Sequence, residues 1–413
     1  MNTTPITVVG GAYREHCAFP VRDLCRGSGG RAAAVLSSLG LPVIFVTYLG
    51  PTLRPSFEDI AKKLGYRLDA RGGLDDICFR YRYPLGQPSI YPSSPRELAD
   101  SVPVEAENAL VFGMLEGRPP VHAKRVVYDP QDGAGASHFS SNGSTAQELA
   151  LVVSYSEGRR LADEKDPEAI ALKLLGGSEV SAVVVKCGPQ GALVQTQHEK
   201  TWVRPFPTTV VYKIGSGDVF SAAFAYAWLA EGRDALAAAW FASRVVAAYV
   251  ETSFDRIEPS SLHGYWSDAD NARRQLASTS ARALPETQIY LAGPFFTTSQ
   301  RWLIDEVRDA LRDMGFKVFS PVHEVGFGPA NEVAPQDLFG LEQSGLVLAL
   351  LDGLDAGTLY EVGYARSREI PVVAVAESVD ANDLTMLLGS GCIVTNDLTT
   401  GIYRACWALM GDV

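Results

Sequence analysis

Short apolar runs alternate with segments of helical period along the whole chain. Residues 6–9 read as a buried strand, 30–39 as an Ala-rich helix and 43–46 as the next strand. Further strands fit 109–112, 125–128, 151–153 and 182–185, and two Ala-rich helices fit 217–230 and 234–250. Between 76 and 91 the rhythm changes: Phe79, Tyr81 and Tyr83 alternate with Arg80 and Arg82, a period-two signal for a half-exposed β segment. Such a segment suits a small lid, and equally an edge hairpin. After Glu258 the periodicity fades, and 259–286, rich in Ser, Ala and Arg, reads as a linker. A fresh series begins at 287. It has a strand at 289–292 and a helix with Leu303, Val307, Ala310, Leu311 and Met314 on one face, stopped by Gly315. Strands at 316–319, 346–351, 372–375 and 393–394 follow, with a helix through Glu361 before the third of these. Strand–helix alternation of this kind predicts an α/β fold with mainly parallel sheets, divided into 1–258 and 287–413.

Composition supports that division, because 413 residues with 46% hydrophobic content are too many for one core. The chain has no apolar run of membrane-spanning length, and Met1-Asn2-Thr3-Thr4-Pro5 lacks a signal-peptide pattern, so a cytoplasmic protein without membrane association is expected. Cys17, Cys25, Cys78, Cys187, Cys392 and Cys406 are scattered without C-x-x-C pairs, which predicts buried thiols and neither a metal site nor a disulfide framework. Of the net charge of −12, residues 287–413 hold −10, from 7 Lys or Arg against 17 Asp or Glu. A surface so acidic repels a polynucleotide; a small nucleoside, nucleotide or sugar remains a fitting partner.

The densest chemistry lies just after the apolar run 346–351, in Asp355-Ala356-Gly357-Thr358-Leu359-Tyr360-Glu361-Val362-Gly363-Tyr364-Ala365. Two carboxylates here open a helix. A lone pair of this kind is ordinarily a solvated helix start favoured by the helix dipole. Together with Tyr290-Leu291-Ala292-Gly293-Pro294-Phe295 earlier in the chain, the stretch resembles the nucleoside 2-deoxyribosyltransferase family. The resemblance implies a flavodoxin-like, five-stranded parallel sheet with its ligand at the carboxyl ends of the strands. It also implies cleavage or transfer at an N-glycosidic bond without a cofactor, with Glu361 as nucleophile, Asp355 on the sugar hydroxyls and Tyr290 on the Glu361 carboxylate. Gly293, Pro294, Phe295, Gly357 and Thr358 would line the substrate. Where the family often has an aspartate that serves the leaving base, this sequence has Gly345; Asp337, Asp352 and His323 are the candidate substitutes, with Asn382 a further candidate for the site.

The N-terminal half holds Gly215-Ser216-Gly217-Asp218 at the start of a helix. Alone, such a run could be a helix cap. With Lys186-Cys187-Gly188-Pro189-Gln190-Gly191 upstream, Gly27-Ser28-Gly29-Gly30 before the first helix, and Ser154-Tyr155-Ser156-Glu157, it resembles the PfkB, ribokinase-like sugar and nucleoside kinases. The resemblance implies an α/β/α domain with a small β lid, and ATP and Mg²⁺ if the site is active. Asp218 would be the base, the amides of Gly215, Ser216 and Gly217 the anion hole, Lys186, Gly188 and Gly191 a nucleotide-contacting turn, and Glu157 a partner of the Mg²⁺ shell. Several positions depart from the family pattern: Tyr212-Lys213 stands for Asp-Thr, Arg31 for the Asn of the first signature and Ser154 for the Asn of N-x-x-E. Where sugar kinases place an Asp for substrate hydroxyls, the chain reads Gly10-Gly11-Ala12-Tyr13-Arg14-Glu15.

The expected protein is thus an enzyme of nucleoside or nucleotide metabolism that fuses an N-glycosyl transferase or hydrolase to a sugar or nucleoside kinase, or to a degenerate relative of one. The alternative is a nucleotide-binding sensor with impaired sites. Both resemblances imply a homo-oligomer.

Overall fold

The structure is a computed structural model that describes residues 4–98, 101–131, 135–276 and 284–412. It divides into two compact units, one of Met1–Phe206 with Tyr212–Ala281 and the other of Pro207–Val211 with Arg282–Val413.

The first unit is built on thirteen strands: β1 (Ile6–Val9), β2 (Arg14–Cys17), β3 (Arg22–Cys25), β4 (Val43–Leu49), β5 (Arg67–Gly72), β6 (Cys78–Tyr81), β7 (Ser89–Tyr91), β8 (Val104–Phe112), β9 (Val121–Asp129), β10 (Thr145–Ser154), β11 (Val180–Lys186), β12 (Ala192–Thr196) and β13 (Lys200–Val203). Nine of them form one sheet in the order β13-β12-β11-β10-β9-β8-β1-β4-β5. β12 and β13 run antiparallel at one edge; the other pairs are parallel. Every residue of β1 is buried, as a central strand covered on both faces requires. β2, β3, β6 and β7 make a separate four-stranded sheet in the order β3-β2-β6-β7. The Arg/aromatic alternation thus belongs to a small lid sheet. Its other two strands carry Arg14, Glu15, His16, Arg22 and Asp23, a polar sequence that hid them, and Arg14 pairs with Asp23 across them at 2.5 Å.

Within the stretch expected as a linker, Leu262–Leu276 is a helix, and 277–283 lies outside the described residues. Trp266 stacks on Phe241 of the helix Ala235–Thr252 at 4.2 Å, and Asp268 accepts a hydrogen bond from Arg244 at 2.7 Å. These contacts, with Ala269 buried, hold this helix although its mean character is polar.

The second unit has five parallel strands, β14 (Gln288–Ala292), β15 (Val318–Phe319), β16 (Ser344–Leu350), β17 (Val372–Val375) and β18 (Ile393–Thr395), in the order β15-β14-β16-β17-β18. This is the doubly wound order whose switch point lies between β14 and β16. All six cysteines are free; Cys17, Cys187, Cys392 and Cys406 are buried, whereas Cys25 and Cys78 are only partly so. Among the described residues no helix is long and apolar enough to cross a membrane.

Candidate functional site

In the second unit the chain leaves β16 through Asp352-Gly353-Leu354 and enters the helix Ala356–Ser367 at Asp355. Asp355 caps that helix: its Oδ2 accepts from the Thr358 amide at 2.8 Å and the Thr358 hydroxyl at 3.0 Å. The cap fixes the first turn and so aims Glu361. Tyr290, fully buried on β14, donates its hydroxyl to Glu361 Oε1 at 2.6 Å. The tyrosine ring is itself held by Phe319 of β15, stacked at 5.5 Å and 12°. Gly340 also lies against Phe319, where an added Cβ would come within 2.3 Å of that ring.

Burial pushes the Glu361 carboxyl up to about 7; the Tyr290 hydrogen bond opposes this, and the charges of Asp337 and Asp355 add to it. Tyr290 is raised far above the ordinary phenol range by burial and by Glu361, so it stays a donor. Asp337, on the helix Ala330–Glu342, is also pushed up by burial, and its Oδ1 is buried with no hydrogen-bond partner. Its charge bears on both Glu361 and Tyr290.

The candidates for the leaving-base role therefore separate. Asp352 is engaged by the amides of Glu377 and Ser378 and the Ser378 hydroxyl. His323 bridges Ser320 and Asp305 at 3.0 Å on each side, and Asn382 closes a turn on Asp380. Of these groups, Asp337 is the one whose charge acts on Glu361. Gly345 is a packing position: a Cβ there would meet Thr287 Oγ1 at 2.5 Å and Leu409 Cδ1 at 2.8 Å, so no acid can stand at it without displacing its neighbours.

Three of the other expected lining residues have contacts of their own. Gly293 packs against Ile304 and Leu350, where a Cβ would approach to 3.0 and 3.2 Å, and Gly357 leaves room for Asp355 Oδ2. Phe295 meets Phe327 edge-on at 5.4 Å, and Arg301 donates to the Phe295 carbonyl at 3.0 Å while lying over the Phe327 ring. An aromatic pair with an adjacent cation is a surface on which a nucleobase can stack.

In the first unit, Asp218 sits in the first turn of the helix Ser216–Ala225, behind Gly215 in the left-handed region at φ 80°. Its carboxylate is not free. The Arg31 guanidinium, 2% exposed, donates to Asp218 Oδ2 at 2.7 Å and pairs with Glu15 on its other edge. Gly215 is needed for this as well as for its φ, since a Cβ would fall 2.2 Å from Arg31 Cζ. Tyr212 packs with Cys17, Ile214 and Tyr81, an apolar group where the kinase pattern has an acid. Near β1, the Tyr13 hydroxyl donates to the buried Glu116 at 2.7 Å, and burial pushes Glu116 up to about 7. No sequence signal singled out Glu116, which lies 103 residues from Tyr13.

At the carboxyl ends of β9, β10 and β11 stand Asp129, Glu157 and Lys186. Asp129 Oδ2 accepts from Lys186 Nζ at 2.5 Å, Ser221 Oγ at 2.6 Å and Gln131 Nε2 at 3.1 Å. Glu157 closes a capping box on Ser154, its Oε2 accepting the Ser154 amide at 2.7 Å. Gly188 and Gly191 shape a tight turn in which Cys187 donates to the Gly191 carbonyl at 2.8 Å. The Mg²⁺ that the kinase resemblance implies finds a poor set of ligands here. Asp218, Asp129 and Glu157 are turned to Arg31, to Lys186 and to a helix cap, and among the described residues no three acids, histidines or cysteines converge. The phosphates of ATP fit better, because the Gly217 face is open toward Lys186 Nζ and Gln131 Nε2, 3.6 and 3.8 Å from where its Cβ would stand.

Each unit thus presents side chains suited to sugars or phosphates at the carboxyl edge of an α/β sheet, which defines a two-domain α/β protein with two separate candidate sites. Residues 289–396 match the nucleoside 2-deoxyribosyltransferase family and residues 145–259 match the pfkB family of carbohydrate kinases. The chain carries a domain of each family. No curated protein sequence matches it. Among solved structures, the phosphofructokinase-2 of Escherichia coli in complex with potassium is similar at a TM-score of 0.50 and 14% identity, over 65% of this chain and 99% of that one. A fructokinase double mutant from Vibrio cholerae O395, in a form bound to fructose, ADP and potassium ion, is similar at 0.50 and 13%, over 64% and 100%. At such identities the likeness is one of fold.

Proposed function

We propose that the C-terminal domain cleaves or transfers the N-glycosidic bond of a nucleoside or nucleotide, deoxyribose being the sugar its family implies. The observation that carries this is the 2.6 Å hydrogen bond from the buried Tyr290 to Glu361, with the Asp337 and Asp355 charges bearing on the same carboxylate. Glu361 attacks C1′ as the C1′–N bond breaks, and the base leaves with the bonding electrons and takes a proton from Asp337. Water or a second base then attacks C1′, giving its proton to Asp337, as the C1′–O bond of the glycosyl ester breaks and Glu361 returns as carboxylate. Asp355 orients the sugar hydroxyls, and the Phe295–Phe327 pair supports the base.

The test is chromatography of free base after incubation with a panel of deoxynucleosides and their monophosphates, with and without a second base. Release without acceptor marks a hydrolase, exchange marks a transferase, and neither refutes the reading.

For the N-terminal domain we infer a degenerate kinase. General-base catalysis needs a carboxylate free to reach the alcohol proton, and Asp218 is held in an ion pair with the buried Arg31 guanidinium at 2.7 Å. The expected result is no transfer of the ATP γ-phosphate to sugars or nucleosides above background. Transfer that disappears in Asp218→Asn would show an active kinase instead.

A homo-oligomer belongs to the same proposal. Phe296, Tyr360 and Met386 in the second unit are each more than 60% exposed, apolar side chains that a second copy can cover. Light scattering is expected to give a mass above that of one chain; a monomer at all concentrations would count against it.

A further inference from the structure

The lid sheet is tied to the body of the first unit through a buried guanidinium. Glu15 lies on β2 of the lid, Arg31 on the helix Gly27–Ser38 and Asp218 on the helix Ser216–Ala225. Arg31 donates through Nη1 to Asp218 Oδ2 at 2.7 Å and to Glu15 Oε1 at 3.2 Å, and through Nη2 to Glu15 Oε2. The Gly27 amide, at the start of the same helix as Arg31, adds a bond to Glu15 Oε1 at 3.1 Å. The side chains of Arg31, Asp218 and Glu15 are 2%, 9% and 11% exposed, so water competes little for these bonds. Packing follows the same line: Tyr81 and Cys17 of the lid meet Tyr212 and Ile214 of the body, and Phe79 lies 5.1 Å from the Tyr13 ring, whose hydroxyl is anchored on Glu116. A guanidinium is planar, permanently charged and forked, so the group that pins Asp218 pins the lid as well. An alcohol giving its proton to Asp218 Oδ2 would have to stand within hydrogen-bond reach of that oxygen, where Arg31 Nη1 stands.

We propose that Arg31 is an autoinhibitory latch: it holds the lid closed through Glu15 and takes the hydrogen-bonding place of an acceptor hydroxyl at Asp218. The domain thus keeps an acceptor site for a sugar or the sugar of a nucleoside, and its own side chain fills that site. The proposal rests on the reading of this domain as a degenerate kinase, since Asp218 is the base only on that reading.

Amide hydrogen exchange on the full chain tests it, read over β2, β3, β6 and β7 with the nine-stranded sheet as internal control. Glu15→Ala leaves one cation and one anion beneath the lid, a balanced pair, so the body should keep its fold. Lid amides are expected to exchange about ten- to a hundredfold faster in this variant than in the parent, the scale of lost hydrogen bonds to a charged group, while the control sheet keeps its parent rates. Arg31→Ser empties the acceptor place. With ribose, fructose and adenosine as separate probes, at least one is expected to slow lid exchange in Arg31→Ser and none to do so in the parent. Arg31→Lys keeps the charge and loses the fork, so it should loosen the lid too, a readout that stands even if the serine variant does not fold. A lid no looser in Glu15→Ala or in Arg31→Lys, a parent lid slowed by any probe, or a folded Arg31→Ser indifferent to all three overturns the proposal. A lid unmoved by Glu15→Ala in a parent without kinase activity overturns the latch alone; phosphoryl transfer by the parent that is lost in Asp218→Asn overturns the degenerate-kinase reading and the latch with it.

Discussion

Replacing Glu361 with alanine lowers the rate of base release by about 10⁴-fold or more, the scale on which loss of a nucleophile acts. The expectation follows from the position of the group. Burial raises the carboxyl, which makes the anion more basic and more nucleophilic once formed, and the Tyr290 hydroxyl at 2.6 Å holds one oxygen in a fixed direction. Because the reactive form is the anion and the carboxyl titrates near 7, kcat/KM should rise with pH through about that value. A small carboxylate such as formate, diffusing into the space left by Glu361→Ala, should restore part of the rate. A variant with more than a tenth of the parent rate would remove Glu361 from the reaction.

Asp337→Asn lowers base release by about 10²- to 10⁴-fold, the range ascribed to general acids. Burial raises the Asp337 carboxyl, and one of its oxygens is buried and unpartnered, which leaves it available to a departing base. Two further readouts separate this role from a structural one. Substrates whose bases leave readily without protonation should lose much less than adenine or cytosine nucleosides. Since the Asp337 charge helps to raise Glu361, the acid limb of the pH profile should also move to lower pH in Asp337→Asn. An unchanged limb together with a uniform loss across leaving groups would assign Asp337 a packing role only.

The buried parallel strands were legible because their apolar runs are continuous: β1, β11 and β16 show themselves by Val, Ile and Leu alone. Of the strands that escaped, β2, β3, β5 and β13 are polar, short or at edges, where pairing rather than burial makes the strand, and β12 buries an apolar run of only Ala192, Leu193 and Val194. At the C-terminal site, Tyr290 and Glu361 were readable from motif order, and the fold brings them together across 71 residues. Among the candidates for the leaving base, the sequence could not choose. Pro335 interrupts the helix Ala330–Glu342, whose apolar pattern is weak, so which side Asp337 occupies depends on tertiary packing. At the N-terminal site the departures from the kinase pattern were visible, but not their consequence. Arg31 and Asp218 are 187 residues apart, and no local pattern announces that one will lie on the other.

The Phe319 ring, in contact with both Tyr290 and the bare backbone of Gly340, extends the sensitivity of the proposed C-terminal chemistry to a position with no functional group at all. A single methyl at 340 would have to displace the ring, and through it the phenol that steers Glu361. On the proposed reading, Gly340 is therefore a lever for retuning this domain by mutation, acting through the ring that packs on Tyr290 and the phenol that holds Glu361.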